Sequence, residues 1–211
     1  MGIVSLIKRI YCSIRQYCRW KKRRNEIAKQ INCSAGELKI ILGAGSTAYS
    51  DWISTDFPYF DITKDADWKF FFSKRKPKKL LAEHAIDYLT VEKIEFVFQQ
   101  AFNYLEPKGR FRIAVLDSYN ENLDYIDAVK PSGFDSCRAF HKTFLDVDFL
   151  IKKATEAGFK IEPLEYYTKN RIFHQVDFDN EDGYIKRSKK NNFRFLSIPN
   201  YTSLIVDLIK N

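Results

Sequence analysis

Apolar positions along the chain fall into short blocks separated by longer amphipathic stretches. Leu38–Leu42 (LKIIL) is a nearly continuous apolar run, the pattern of a strand buried on both faces. Similar blocks at 52–56, 60–62, 80–83, 111–116, 160–166 and 203–209 read as strands. Behind Thr90, a candidate N-cap, Val91, Ile94, Val97, Phe98, Ala101, Phe102 and Leu105 recur at helical spacing. Asp146 is placed to cap another helix over 147–157, which Gly158 stops. Strands alternating with helices predict an α/β domain with a mostly parallel sheet.

Three stretches escape this pattern. Residues 64–79 read as irregular and lid-like, with Trp68, Phe70, Phe71 and Phe72 either covering a ligand base or filling core. Residues 118–140 are polar and aromatic without a period. Residues 168–195 form a charged excursion around Asp182-Gly183-Tyr184. That excursion is either a surface hairpin or, through Asp182, Tyr184 and Arg187, part of an acceptor pocket.

Ahead of the first strand, Ile3, Leu6, Ile7, Ile10, Ile14 and Tyr17 lie at helical spacing. The chain thus divides into a basic amphipathic N-terminal helix, residues 1–30, and a domain over 31–211. Charge sharpens this division. The net charge is +8, and residues 1–24 hold Lys8, Arg9, Arg15, Arg19, Lys21, Lys22, Arg23 and Arg24 with no acid. The whole excess sits there, so the body is neutral, which argues against a large nucleic-acid partner. The helix suits an anionic membrane surface; a solvated helix capping the domain and an RNA contact are the alternatives. Charges interrupt any signal-peptide core, and no apolar run is long enough to span a bilayer. Cys12, Cys18, Cys33 and Cys137 lack metal-site spacing. The expectation is a cytoplasmic protein with reduced thiols and no metal, peripheral at the inner membrane face.

The candidate chemistry begins where the first strand ends, at Gly43-Ala44-Gly45, with Asp56 eleven residues beyond Gly45. Glycines allow a sharp turn and close backbone approach to a ligand, and α/β sheets bind ligands beyond the carboxyl ends of their strands. An acid ending the second strand can accept both hydroxyl protons of a ribose. Ala48 stands at the third position of a GxGxxG pattern, and the interval to the acid is about half that of a dinucleotide-binding unit. Both points argue against NAD. The interval is also too short for a full helix, and the absence of GxxxxGK[ST] excludes a P-loop.

These residues, together with Trp52-Ile53-Ser54-Thr55-Asp56 and Phe60-Asp61-Ile62-Thr63, resemble the class I S-adenosylmethionine-dependent methyltransferases. More narrowly they resemble a small bacterial type-11-like group with an LGxG…GWxNxD…FDLT pattern. Glu83-His84-Ala85-Ile86-Asp87-Tyr88-Leu89 is similar to that group's EHxLEHL, and Leu105-Glu106-Pro107-Lys108-Gly109-Arg110 to its LKPGGR. The likeness continues through Glu156-Ala157-Gly158-Phe159 to Thr202–Asp207 and spans about residues 38–209. It implies a Rossmann-like, seven-stranded sheet with the last strand antiparallel. It implies that Gly43, Ala44 and Gly45 wrap the methionine end of the cofactor and that Asp56 holds the ribose. Asp61 would lie near the adenine, with Glu83 and His84 bordering the methyl group. Ile41 and Thr47 depart from the group's usual acid and third glycine.

Methyl transfer from a sulfonium depends mainly on alignment, with a base helping when the acceptor is a hydroxyl. His84 and His141 are the candidate bases, the alternatives being a packed strand-end residue for His84 and a helix-entry hydrogen-bonder for His141, and Asp117 is a further acceptor-side candidate. No Asn/Asp-Pro-Pro-Tyr/Phe follows the fourth strand, which disfavours planar nitrogen acceptors. The resembling group is associated with sugar and cell-surface glycan pathways. The expected function is methylation of a small molecule, sugar or cell-surface glycan precursor. A non-catalytic S-adenosylmethionine-binding module, or an RNA-binding or RNA-modifying protein using the basic helix, are the alternatives.

Overall fold

The computed structural model describes residues 3–131, 141–191 and 202–211. Cys137 and parts of the two weakly patterned stretches, 132–140 and 192–201, lie outside the described residues. The helices are α1 (Ile3–Cys33), α2 (Asp65–Phe72), α3 (Val91–Tyr104), α4 (Leu123–Val129) and α5 (Val147–Glu156). The strands are β1 (Lys39–Leu42), β2 (Ile53–Thr55), β3 (Lys79–Glu83), β4 (Arg110–Val115), β5 (Lys160–Tyr167), β6 (Phe173–Gln175) and β7 (Leu204–Ile209).

Among the described residues the strands form one sheet in the order β2-β1-β3-β4-β7-β5-β6. β2, β1, β3 and β4 are parallel neighbours. β7 lies antiparallel between β4 and β5, and β6 folds back on β5 as a hairpin. Five strands therefore share one direction, giving the expected Rossmann-like α/β sheet with an antiparallel last strand.

Alternation along the strands sorts the core onto two faces. Ile40, Leu42, Leu80, Ala82, Phe111, Ile113 and Val115 pack with α2, α3, α5 and the end of α1. Ile41, Leu81, Ala114, Leu164 and Ile205 point the other way, where Phe178 and Ile185 cover them, with Tyr49 and Trp52 packed alongside. This second cluster contains no helical residue. One reason is local: residues 43–52, which link parallel β1 and β2, form no helix.

Three sequence expectations need correction. Residues 60–62 are not a strand, because their polar backbone groups are satisfied locally. Tyr59 and Phe60 N–H donate to the Asp56 carbonyl, and Asp61 N–H donates to the Asp67 carboxylate at 2.8 Å. β2 is therefore the edge strand. Residues 64–79 are not an irregular lid, since Asp65–Phe72 is helical with Asp65 and Asp67 in its first turn, where acids favour the helix dipole. Trp68, Phe71 and Phe72 are core, closing around Phe60, and only Phe70 of that group is exposed. Residues 118–140 contain α4, capped by Asn122, whose side chain accepts from Tyr125 N–H.

α1 enters the domain in its second half. Ile27 and Ile31 are buried, and Arg24 pairs with Asp67 at 2.8 Å while donating to the Tyr59 carbonyl. Its guanidinium also lies 4.3 Å from the centre of the Phe70 ring. Residues 11–19 are exposed, so this stretch of the helix is not packed into the domain.

Candidate functional site

A cavity of about 650 Å³ opens beyond the carboxyl ends of β1, β2 and β3, within the usual range for a small-molecule site. Gly43, Ala44, Gly45, Asp56, Asp61, Glu83 and His84 all line it. Phe57, Ile62, Tyr88, Leu89 and Lys93 extend the walls.

Gly43 and Gly45 both adopt left-handed backbone, with φ of 62° and 53°. A Cβ on Gly43 would lie 2.5 Å from the Cβ of Ala85, so this glycine lets the turn press against the end of β3. A Cβ on Gly45 would meet nothing within 4 Å; that glycine borders open space on the cavity side. The turn is fixed to β2 by Asp56, whose carboxylate accepts Gly45 N–H at 3.0 Å and Phe57 N–H at 2.8 Å.

Asp61 accepts the backbone N–H and the hydroxyl of Thr63 and pairs with Lys64 at 3.3 Å. Burial pushes its carboxyl up, but the Thr63 bonds and the Lys64 ammonium outweigh it and hold the group below its ordinary range. Glu83 accepts the Tyr49 hydroxyl and Arg187 N–H, both at 3.3 Å. Burial, followed by the Glu83 charge, raises the Tyr49 phenol well above its ordinary range.

The two histidines have different places. His84 is in the cavity wall with a left-handed φ of 50°, its N–H donating to the Ala114 carbonyl at 2.8 Å. Non-glycine residues reach that region at a cost of about 1–3 kcal/mol, and such strain gathers at functional sites. Its Nδ1 lies 3.1 Å from Asp87 and its Nε2 lies 3.0 Å from the Ser203 hydroxyl. His141 is not among the cavity-lining residues; its ring packs 5.0 Å from that of Tyr88, which does line it.

Other sequence candidates fall elsewhere. Asp117 is buried and accepts backbone N–H from Tyr167 at 2.8 Å and Tyr119 at 2.9 Å. Burial carries its carboxyl up to about 6, and its bonds tie β5 to the end of β4. Asp182 faces away from the cavity, paired with Lys79 at 2.8 Å and Arg110 at 3.3 Å at the amino ends of β3 and β4. Tyr184 and Arg187 do approach the site, through Tyr49 and Glu83.

Sequence pattern alone does not single out Tyr49, Asp87 or Ser203. Asp87 stands in the recognised Glu83–Leu89 string, one helical turn past His84, and that spacing is the only signal for it. Ser203 is 119 residues from His84, with no local pattern to join them.

No family model and no curated protein matches the sequence. Solved structures with similar chain topology include an S-adenosylmethionine-dependent methyltransferase from Archaeoglobus fulgidus. It is 13% identical, covers 94% of this chain and 98% of its own, and has a TM-score of 0.44. An O-methyltransferase family protein from Burkholderia thailandensis is 7% identical over 90% of this chain and 56% of its own, with a TM-score of 0.47. This chain therefore spans about half the length of that protein. A glycopeptide N-methyltransferase solved with S-adenosylmethionine is 10% identical, covering 87% of this chain and 92% of its own, with a TM-score of 0.46.

Proposed function

We propose that the chain is an S-adenosylmethionine-dependent methyltransferase acting on a hydroxyl of a small molecule, sugar or cell-surface glycan precursor. The convergence of the glycine turn, Asp56, Asp61 and the Glu83-His84 pair on one cavity carries this reading. The cavity suits the cofactor: the space beside Gly45 is open, and each Asp56 oxygen retains acceptor capacity beyond its one backbone bond. Asp56 would hold the ribose, Asp61 would lie near the adenine, and Gly43–Gly45 would wrap the methionine end. The cofactor supplies a methyl group on a sulfonium, a leaving group already activated by its charge.

The chain's own part is to hold and align. His84, beside Glu83, is the candidate base for the acceptor hydroxyl, and His141 supports the wall through Tyr88. The test is transfer of labelled methyl from S-adenosylmethionine into fractionated small-molecule, glycan, lipid and RNA pools of a cell extract. Label is expected in the small-molecule, glycan or lipid-linked fraction. Label in RNA alone, or in no pool, refutes the acceptor class.

The same reading seats α1 on an anionic bilayer. Tyr11, Ile14 and Tyr17 are exposed among the basic residues. Among the described residues no helix is long and apolar enough to cross a membrane. Trp20 Nε1 donates to the Pro58 carbonyl at 2.9 Å, next to Phe57 at the cavity, so the helix is joined to the lip of the pocket. Each base near an anionic surface contributes about 1 kcal/mol. Replacing Arg15, Arg19, Lys21 and Lys22 with Gln is expected to weaken cosedimentation with phosphatidylglycerol vesicles by roughly a hundredfold or more. Unchanged cosedimentation, or equal binding to neutral vesicles, counts against the membrane role.

A further inference from the structure

Asp87, His84 and Ser203 form a hydrogen-bonded line, and only the histidine reaches the cavity wall. Asp87 Oδ2 is 3.1 Å from His84 Nδ1, and His84 Nε2 is 3.0 Å from Ser203 Oγ. The Asp87 side chain is 1% exposed. Its other oxygen accepts Leu116 N–H at 3.3 Å, and its carbonyl accepts Lys142 N–H at 2.9 Å. Asp87 is thus fixed to the strand ends from several sides and cannot follow the imidazole if it turns. β7 runs antiparallel to β4, so Ser203, just before its first residue, stands at the same rim as the carboxyl end of β4.

We infer that Asp87 is a positioning residue that holds His84 as the Nδ1–H tautomer, leaving Nε2 as a base toward which a hydroxyl points. The chemistry follows from donor and acceptor counts. An ionised carboxylate only accepts, so the hydrogen between Asp87 and His84 belongs to Nδ1. Neutral imidazole then has its lone pair on Nε2, and Ser203 O–H donates to it. Ser203 is itself buried and marks Nε2 as the accepting nitrogen; an acceptor hydroxyl in the cavity reaches the same lone pair once the Ser203 side chain turns away. When an acceptor hydroxyl replaces it, the O–H bond breaks, its proton moves to Nε2, and the imidazolium formed is paired with Asp87. His84 holds both partners from a left-handed backbone, the kind of strain that gathers at functional sites.

This inference rests on the methyltransferase reading for the base role, but its test needs neither cofactor nor acceptor. The chain has three histidines, so a long-range proton–nitrogen correlation spectrum at about pH 8, where an unperturbed imidazole is neutral, resolves each tautomer. His84 is identified by the signals lost in His84→Gln. The wild type is expected to show His84 protonated on Nδ1 with Nε2 bare, and Ser203→Ala to leave that tautomer unchanged. Asp87→Asn is nearly isosteric and presents an amide N–H to Nδ1, so it is expected to move the proton to Nε2. Labelled-methyl transfer to the extract should then fall about a hundredfold, the low end of general-base contributions. A wild-type His84 protonated on Nε2, or on both nitrogens, overturns the inference, as does a tautomer unmoved by Asp87→Asn. Calorimetric titration of the Asp87→Asn protein with S-adenosylmethionine separates the two claims. Retained binding with an unmoved tautomer defeats the inference alone, whereas absent binding by the wild type defeats the cofactor reading.

Discussion

Asp56→Ala is expected to abolish S-adenosylmethionine binding in a calorimetric titration while the protein stays folded. In the proposed complex the carboxylate accepts two ribose hydroxyls, and hydrogen bonds to a charged group are worth about 1.5–3 kcal/mol each. Losing both lowers affinity by about a hundredfold to ten-thousandfold. A second effect works in the same direction. Asp56 also holds Gly45 N–H and Phe57 N–H, so its removal unties the glycine turn from the end of β2. Neither bond is deeply buried, and water can replace the carboxylate; the cost in folding stability is about 1 kcal/mol. Asp56→Asn keeps one acceptor oxygen and should bind more weakly than wild type but better than Asp56→Ala. Binding by Asp56→Ala within tenfold of wild type would remove Asp56 from the cofactor site.

Arg112→Met is expected to destabilise the fold more than any substitution in the cavity wall. Arg112 and Asp207 are both fully buried and face each other across β4 and β7 with two bonds of 2.8 Å. Arg112 also donates to the carbonyls of Asp179 at 2.6 Å and Gly183 at 2.7 Å. Removing one partner of a buried ion pair costs about 3–5 kcal/mol, because the other charge stays in a dry site. Arg110 still reaches Asp207, which keeps the loss toward the lower end. Urea denaturation followed by circular dichroism measures the difference. Arg112→Met combined with Asp207→Leu removes both charges and should recover part of the loss. A single variant within 1 kcal/mol of wild type would show that the pair contributes little to the fold.

The parts of the fold legible in the sequence are those whose signals are local. β1, the glycine turn and Asp56 announce themselves within a few residues, and α3 and α5 do so by helical spacing and their stop signals. The misreadings have the opposite character. Phe60-Asp61-Ile62 has strand composition, but Asp67, six residues on, takes the backbone hydrogen of Asp61. Phe70-Phe71-Phe72 interrupts the helical period of α2, because Phe70 stays exposed beneath Arg24 of α1 while the other two are buried. The candidate site divides the same way. Glu83 and His84 are readable as a strand end, whereas Ser203 reaches His84 only through the antiparallel return of β7. The charges of 176–191 resemble those of a solvated hairpin until the strand cations beneath them, buried Arg112 and half-buried Lys79 and Arg110, are seen. Arg112, Lys79 and Arg110 are common strand residues whose partners lie far along the chain.

The face of the sheet that residues 176–191 cover has a further consequence. Its cover, residues 176–191, has no long hydrogen-bonded ladder of its own. It is held by Phe178 and Ile185 against the sheet, by cations of β3 and β4, and by Glu165, which accepts Lys189 N–H at 2.7 Å and Lys190 N–H at 3.2 Å. Segments held this way open at lower free energy than strands and helices, as units of subglobal unfolding. Arg187 of this unit donates to Glu83, and Tyr184 packs against Tyr49. Hydrogen exchange is therefore expected to be faster in residues 176–191 than in the helices of the opposite face, and an opening of this cover would release Glu83 in the pocket wall from Arg187.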